Sequence, residues 1–206
     1  MTLSARQLAV IFVTAARVPL AAAACALLAG GRTSGPQPWA ALGLLLAIEA
    51  TDALDGFLAR RLGVAGRFGE LFDPYCDSIA RLVTYFGLAW AGLCPWWLVL
   101  VMAVRDVSVA YIRIACVISG RRVSSRLSGK LKAVVQGAGG VALAGALAAA
   151  GGGWSGQSIL RSAVAWGVAG VTAWSLVDYF LAALSRKNTP RPANNPAGEA
   201  QLLRNA

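Results

Sequence analysis

Asp52-Ala53-Leu54-Asp55-Gly56-Phe57-Leu58-Ala59-Arg60 and, after a gap of eight residues, Gly69-Glu70-Leu71-Phe72-Asp73-Pro74-Tyr75-Cys76-Asp77 set four aspartates into a chain that is otherwise strongly apolar. A carboxylate within hydrocarbon costs about 3 kcal/mol. Four of them inside 26 residues therefore require a compensating cation, and a divalent metal taking hard oxygen ligands supplies it. Residues three, four, seven and eight apart share a helix face, so Asp52, Asp55, Gly56, Ala59 and Arg60 line one stripe. Gly69, Asp73 and Asp77 line another. A short turn at residues 63–66 would fold the two helices antiparallel and bring the four carboxylates together as a metal and phosphate site. The competing reading pairs the aspartates with Arg60, Arg61, Arg67 and Arg81 as structural ion pairs. That role does not call for Gly56, Ala59 and Gly69 on the same faces.

The rest of the composition agrees with a membrane setting. The chain has 206 residues, 57% hydrophobic and 14% charged, a length that suits one helical bundle. Its net charge of +10 sits in short segments between apolar runs, the pattern of a cytoplasmic membrane face. Anionic lipid rather than nucleic acid is the expected partner. The chain has no histidine, which excludes a histidine base, a Ser-His triad and any imidazole metal site. The four cysteines, Cys25, Cys76, Cys94 and Cys116, lack metal spacing and read as small packing residues.

Apolar segments at 7–30, 37–59, 72–94, 96–118, 132–151 and 158–184 predict six transmembrane helices, since each spans about 30 Å at about 1.5 Å per residue. The fold class is an all-α integral membrane bundle. Arg60, Arg61 and Arg67, then Arg121, Arg122, Arg126, Lys130 and Lys132, then Arg186, Lys187 and Arg191 fall on one side. Both termini and the aspartate site are expected on the cytoplasmic face of a bacterial-type inner membrane. The first segment is too long for a cleaved signal, and Arg17 interrupts it. Residues 1–187 form the membrane domain, and the Pro-rich polar tail at 188–206 is expected to be disordered. Trp96, Trp97, Trp154 and Trp166 read as interfacial anchors on the outer side.

The eight positions Asp52, Asp55, Gly56, Ala59, Arg60, Gly69, Asp73 and Asp77 resemble the motif of the CDP-alcohol phosphotransferases (the CDP-alcohol phosphatidyltransferase family). These are integral membrane enzymes that join an alcohol to a phosphatidyl or similar group carried on cytidine diphosphate. The resemblance covers residues 10–140 and implies attack of an alcohol on the phosphorus next to the lipid, with release of CMP. It further implies homodimers and a CDP-diacylglycerol donor. Gly56, Ala59 and Gly69 would leave room for the nucleotide, and Arg60 would bind its diphosphate oxygens in a two-pronged way. Asp52, Asp55, Asp73 and Asp77 would hold one or two divalent cations, Mg2+ or Mn2+. By the same pattern Asp77, nearest the acceptor alcohol, is the candidate general base, a metal ligand, or both.

A second group of cations bears on the acceptor. Arg105, Asp106 and Arg113 share a face of the fourth segment, and Ser128-Gly129-Lys130-Leu131-Lys132, followed by Gln136, opens the fifth. Arg105, Arg113, Lys130 and Lys132 look like a pocket for the phosphate of a phosphorylated alcohol. The arrangement, with Arg17 and Pro19, resembles the phosphatidylglycerophosphate synthases, whose acceptor is glycerol 3-phosphate. Ser78 follows Asp77 where that group usually carries Lys, which keeps phosphatidylinositol-phosphate synthases as the nearest alternative. A transporter also places charges in a bundle, but the chain shows no internal repeat. For Arg105 and Arg113 the plain structural alternative is pairing with Asp106, and for Lys130 and Lys132 it is membrane anchoring.

Overall fold

The computed structural model is all helical, with α1 (Ala5–Ala29), α2 (Pro36–Leu62), α3 (Arg67–Trp90), α4 (Trp96–Ile118), α5 (Leu127–Ala149) and α6 (Ser158–Leu184). It describes residues 5–31, 34–62, 67–119, 127–151 and 158–185, with the backbone alone at 5–10, 53, 55–62, 67–71, 117 and 158. The tail at 188–206 and the cationic loop residues Arg121, Arg122, Arg126, Arg186, Lys187 and Arg191 lie outside the described residues.

Each predicted apolar segment holds one helix. Three stretches, Ile11–Ala29, Leu127–Ala149 and Ile159–Leu184, are long and apolar enough to cross a membrane. The other three helices carry the residues that make the interior polar: Glu49 and Asp52 in α2, Asp73, Asp77 and Arg81 in α3, Arg105, Asp106 and Arg113 in α4. These charges lower hydropathy without opposing helix formation.

Three boundaries differ most from the hydropathy reading. Helix α3 starts at Arg67, because its charged first turn is amphipathic rather than apolar, and it ends at Trp90 instead of running to 94. The stop is local: Gly92 takes a left-handed φ of 72°, the Leu93 N–H donates to the Leu88 carbonyl at 2.8 Å, and the Gly92 N–H donates to Ala89 at 3.0 Å. This pair of bonds satisfies the last carbonyls of the helix and turns the chain. Helix α5 likewise begins early, at Leu127, taking in Ser128, Gly129 and Lys130.

Helix α1 packs against α2 and α3, while α6 packs against α4 and α5. Contacts of α2 with α5 and of α3 with α4 and α5 join the two groups. Between them lies a core of Leu45, Tyr85, Leu88, Leu98, Met102 and Leu143, all nearly or fully buried. Helices α3 and α1 come close at Gly87, where a Cβ would stand 2.8 Å from the Cys25 Cα on α1. Small residues at such crossings let backbones touch. Gly87→Ala is therefore expected to destabilise the protein by about 1–3 kcal/mol through overpacking. Thermal unfolding of the detergent-solubilised protein measures it, and an unchanged midpoint would mean the crossing yields freely.

The four cysteines are free, with Cys76, Cys94 and Cys116 buried in packing positions. Trp97 and Trp166 lie 5.1 Å apart, and Phe86, Trp90 and Trp96 form a second aromatic group where α3 turns into α4. Trp154 lies outside the described residues.

Candidate active site

Arg17, in the middle of α1, is 1% exposed and sits where the aspartates converge. Its Nη1 lies 2.8 Å from Asp52 Oδ1 and 3.9 Å from Asp77 Oδ1, and its Nη2 lies 3.5 Å from Asp73 Oδ1. Three of the four expected aspartates are thus brought to one guanidinium, Asp52 from α2 and Asp73 and Asp77 from α3. The fourth, Asp55, follows Asp52 by three positions along α2, so the backbone sets both on one helix face. The side chains of Asp55, Gly56, Ala59, Arg60 and Gly69 lie outside the described residues.

The carboxylates are not sealed in. Asp52 and Asp73 are 45% and 54% exposed and Asp77 is 26% exposed, so the buried charge is the arginine and the acids line an open mouth. Leaving Arg17 among apolar residues without them would cost several kcal/mol. The acids fix it, and it holds α1 against α2 and α3. Carboxylate oxygens from two helices are hard donors of the kind a divalent cation takes. Among the described residues no three acidic side chains stand close enough to form a cage around an ion, and Arg17 provides the compensating charge. The carboxylates are therefore of the donor type a divalent metal takes, but as placed they hold Arg17, with which such a metal would compete.

One turn beyond Asp77, Arg81 makes a second layer. Its Nε donates to Asp77 Oδ1 at 3.1 Å, while Nη1 and Nη2 reach Glu49 Oε1 and Oε2 at 3.0 and 3.4 Å. Glu49 went unnoticed in the sequence reading. Its signal was present: it stands three residues before Asp52, on the same stripe, at the end of the apolar run at 44–48. Of the arginines considered as structural partners, Arg81 does pair with an aspartate, whereas the central position of Arg17 was not anticipated.

The expected acceptor cations are partly assembled. Arg105 donates from Nη1 to Asp106 at 2.8 Å and from Nη2 to Ser175 at 2.7 Å, and Lys132 Nζ binds both Asp106 oxygens at 2.8 and 3.2 Å. Arg113 donates to the Tyr179 hydroxyl at 2.8 Å, and the guanidinium groups of Arg105 and Arg113 lie 5.4 and 5.2 Å from the Tyr179 ring centre. Gly129 leaves space for that ring, since a Cβ would meet its hydroxyl at 3.0 Å. The Nε atoms of Arg105 and Arg113 are buried with no hydrogen-bond partner among the described residues. Lys130 is exposed and, two residues from buried Lys132, faces another side of α5. Ser175 and Tyr179 on α6 were not expected from sequence, because hydropathy alone marks that helix.

A family model described as CDP-alcohol phosphatidyltransferase matches residues 7–174, which reaches from α1 into α6. The chain belongs to the CDP-alcohol phosphatidyltransferase family. The family match extends past residue 140 and stops within α6, one residue before Ser175. Among curated relatives, the chain is 36% identical over 86 residues to a probable phosphatidylglycerophosphate synthase of Mycobacterium tuberculosis, 42% of this chain and 41% of that one. It is 35% identical over 89 residues to a CDP-diacylglycerol–glycerol-3-phosphate 3-phosphatidyltransferase of Treponema pallidum, 43% of this chain and 41% of that one. A third, the archaetidylinositol phosphate synthase of Pyrococcus horikoshii, is 34% identical over 79 residues, 38% of this chain and 42% of that one. The matched stretches span about two fifths of the length of these relatives.

Proposed function

We propose that the protein transfers the phosphatidyl group of CDP-diacylglycerol to glycerol 3-phosphate, releasing CMP. The convergence of Asp52, Asp73 and Asp77 from two helices on one point, at an open mouth, carries this reading. The names of the Mycobacterium and Treponema relatives support the acceptor. In the reaction the acceptor hydroxyl attacks the phosphorus that bears the diacylglycerol. The bond from that phosphorus to the bridging oxygen breaks, CMP leaves with the electron pair, and Asp77 takes the hydroxyl proton. Asp52, Asp55, Asp73 and Asp77 would hold one or two Mg2+ or Mn2+ ions, which neutralise phosphate charge as it develops. Gly56, Ala59 and Gly69 would admit the cytidine diphosphate and Arg60 would bind its oxygens.

For the acceptor, the Nε groups of Arg105 and Arg113, which have no hydrogen-bond partner among the described residues, support a phosphate, because buried donors without partners favour an anion. Lys132 would assist them and Lys130 would add positive potential at the mouth. Six spans with both termini and the aspartates on the cytoplasmic side complete the proposal, supported by the one-sided distribution of Arg and Lys along the chain.

The test is product identification. Purified protein given CDP-diacylglycerol and Mg2+ should form phosphatidylglycerophosphate from glycerol 3-phosphate, detected by mass spectrometry of the lipid. Formation of phosphatidylinositol phosphate alone, from inositol phosphate, would move the acceptor to the alternative that the Pyrococcus relative favours. Arg113→Gln should raise the KM for glycerol 3-phosphate by roughly 10–100-fold, the loss of a charged hydrogen bond, with the KM for the CDP-lipid nearly unchanged. The reverse pattern would reassign Arg113 to the donor.

A further inference from the structure

Glu49 takes no part in the steps above, yet it is tied to the candidate base by one residue. Arg81 is nearly buried and spans from Glu49 on α2 to Asp77 on α3, its fork on one carboxylate and its Nε on the other. Both cation contacts of Asp77, with Arg81 and with Arg17, fall on Oδ1. Oδ2 makes no hydrogen bond with the described residues.

The third wall is α5. At Gly137 a Cβ would lie 2.5 Å from Glu49 Oε2 and 2.7 Å from both Cδ and Oε1, so the carboxylate occupies the place a side chain would take. Next to it a cavity of about 20 Å³ is lined by Glu49, Arg81, Thr84, Tyr85, Gln136 and Gly137. Gln136 Oε1 is buried with no hydrogen-bond partner among the described residues, and the space suffices for a water. The Tyr85 hydroxyl donates to the Gln136 carbonyl at 2.8 Å, which locks this part of α5 to α3. Glu49 is therefore gripped from two sides, by a fork and by a glycine cradle.

We propose that Glu49 is a positioning residue for the transfer: through Arg81 it fixes the rotation of the Asp77 carboxylate, engaging Oδ1 and leaving Oδ2 for the acceptor hydroxyl. A two-pronged ion pair restricts Arg81 far more than Asp77 alone would. Groups that orient a reacting group without touching substrate commonly contribute 10–100-fold, as they do around metal ligands. A plain strut between α2 and α3 would need Glu49 and Arg81 but no link to Asp77. The proposal rests on Asp77 acting as base in CMP release.

CMP release by the full chain in detergent, with melting temperature measured alongside, tests it. Glu49→Ala is expected to lower kcat by about 10–100-fold while both KM values stay within about twofold. Gly137→Ala should reproduce the fall, because its methyl displaces the Glu49 carboxylate. In the double variant the two effects should not add, since without Glu49 the methyl has room. Glu49→Gln, which keeps shape and loses charge, should fall between. An unchanged kcat per folded molecule with a lowered melting temperature would make Glu49 a strut and overturn the inference. If Glu49→Ala does not fold, Gly137→Ala decides alone. A wild-type protein that releases no CMP with any acceptor would sink the transfer reading itself, a result distinct from inactive variants, and the role of Glu49 would go with it.

Discussion

Asp77→Asn should lower CMP release by about 10²–10⁴-fold, the span that general-base catalysis supplies. The substitution keeps the shape and the oxygen that meets Arg81, so the layer of Glu49 and Arg81 should stay in place. What it removes is the ability to accept a proton. Binding of a CDP-lipid analogue should then persist, and the loss should lie in kcat. If Asp77 serves mainly as a metal ligand, Asn weakens cation binding as well, and excess Mn2+ recovers part of the activity. Transfer near the wild-type rate, with cation and CDP binding intact, would take the base assignment away from Asp77.

Arg17→Met should have the second large effect. The side chain is buried and contacts three carboxylates, so its loss leaves Asp52 and Asp73 without this cation and Asp77 with Arg81 alone among the described residues. Breaking a buried pair costs about 3–5 kcal/mol. The expected loss is near the low end, about 3 kcal/mol, because Asp52 and Asp73 are half exposed and water screens them. A divalent cation should repair the defect. In thermal unfolding, millimolar Mn2+ should raise the midpoint of Arg17→Met by more than that of the wild type, by binding only the folded state. Equal shifts in the two proteins would mean that Arg17 and the metal do not compete for the same carboxylates.

The sequence made the helices and the donor motif legible for one reason: both depend on local spacing. Apolar runs mark all six helices, and the three-residue step from Asp52 to Asp55 and the four-residue step from Asp73 to Asp77 set each pair on one helix face. The ends of α3 were less legible, since a charged first turn and the Gly92 stop are invisible to hydropathy. What escaped altogether was set by contacts between distant helices. Arg17 reaches the aspartates from α1, Glu49 reaches Arg81 across 32 residues, and Tyr179 meets Arg113 across 66. Only the neighbouring helix shows that Gly137 makes room for a carboxylate. Arg105 and Lys132 were expected to face a ligand, but each also spends contacts on Asp106. A single chain cannot show that division.

The central claim is that these aspartates form a divalent-metal transfer site for a CDP-linked lipid. CMP release from labelled CDP-diacylglycerol by the purified protein, with glycerol 3-phosphate as acceptor, tests it most directly when run with Mg2+, with EDTA, and with Asp73→Asn. Release in Mg2+, abolished by EDTA and reduced at least 100-fold by the substitution, about 2.7 kcal/mol of transition-state stabilisation, is the predicted result. Release that survives both EDTA and Asp73→Asn would contradict it.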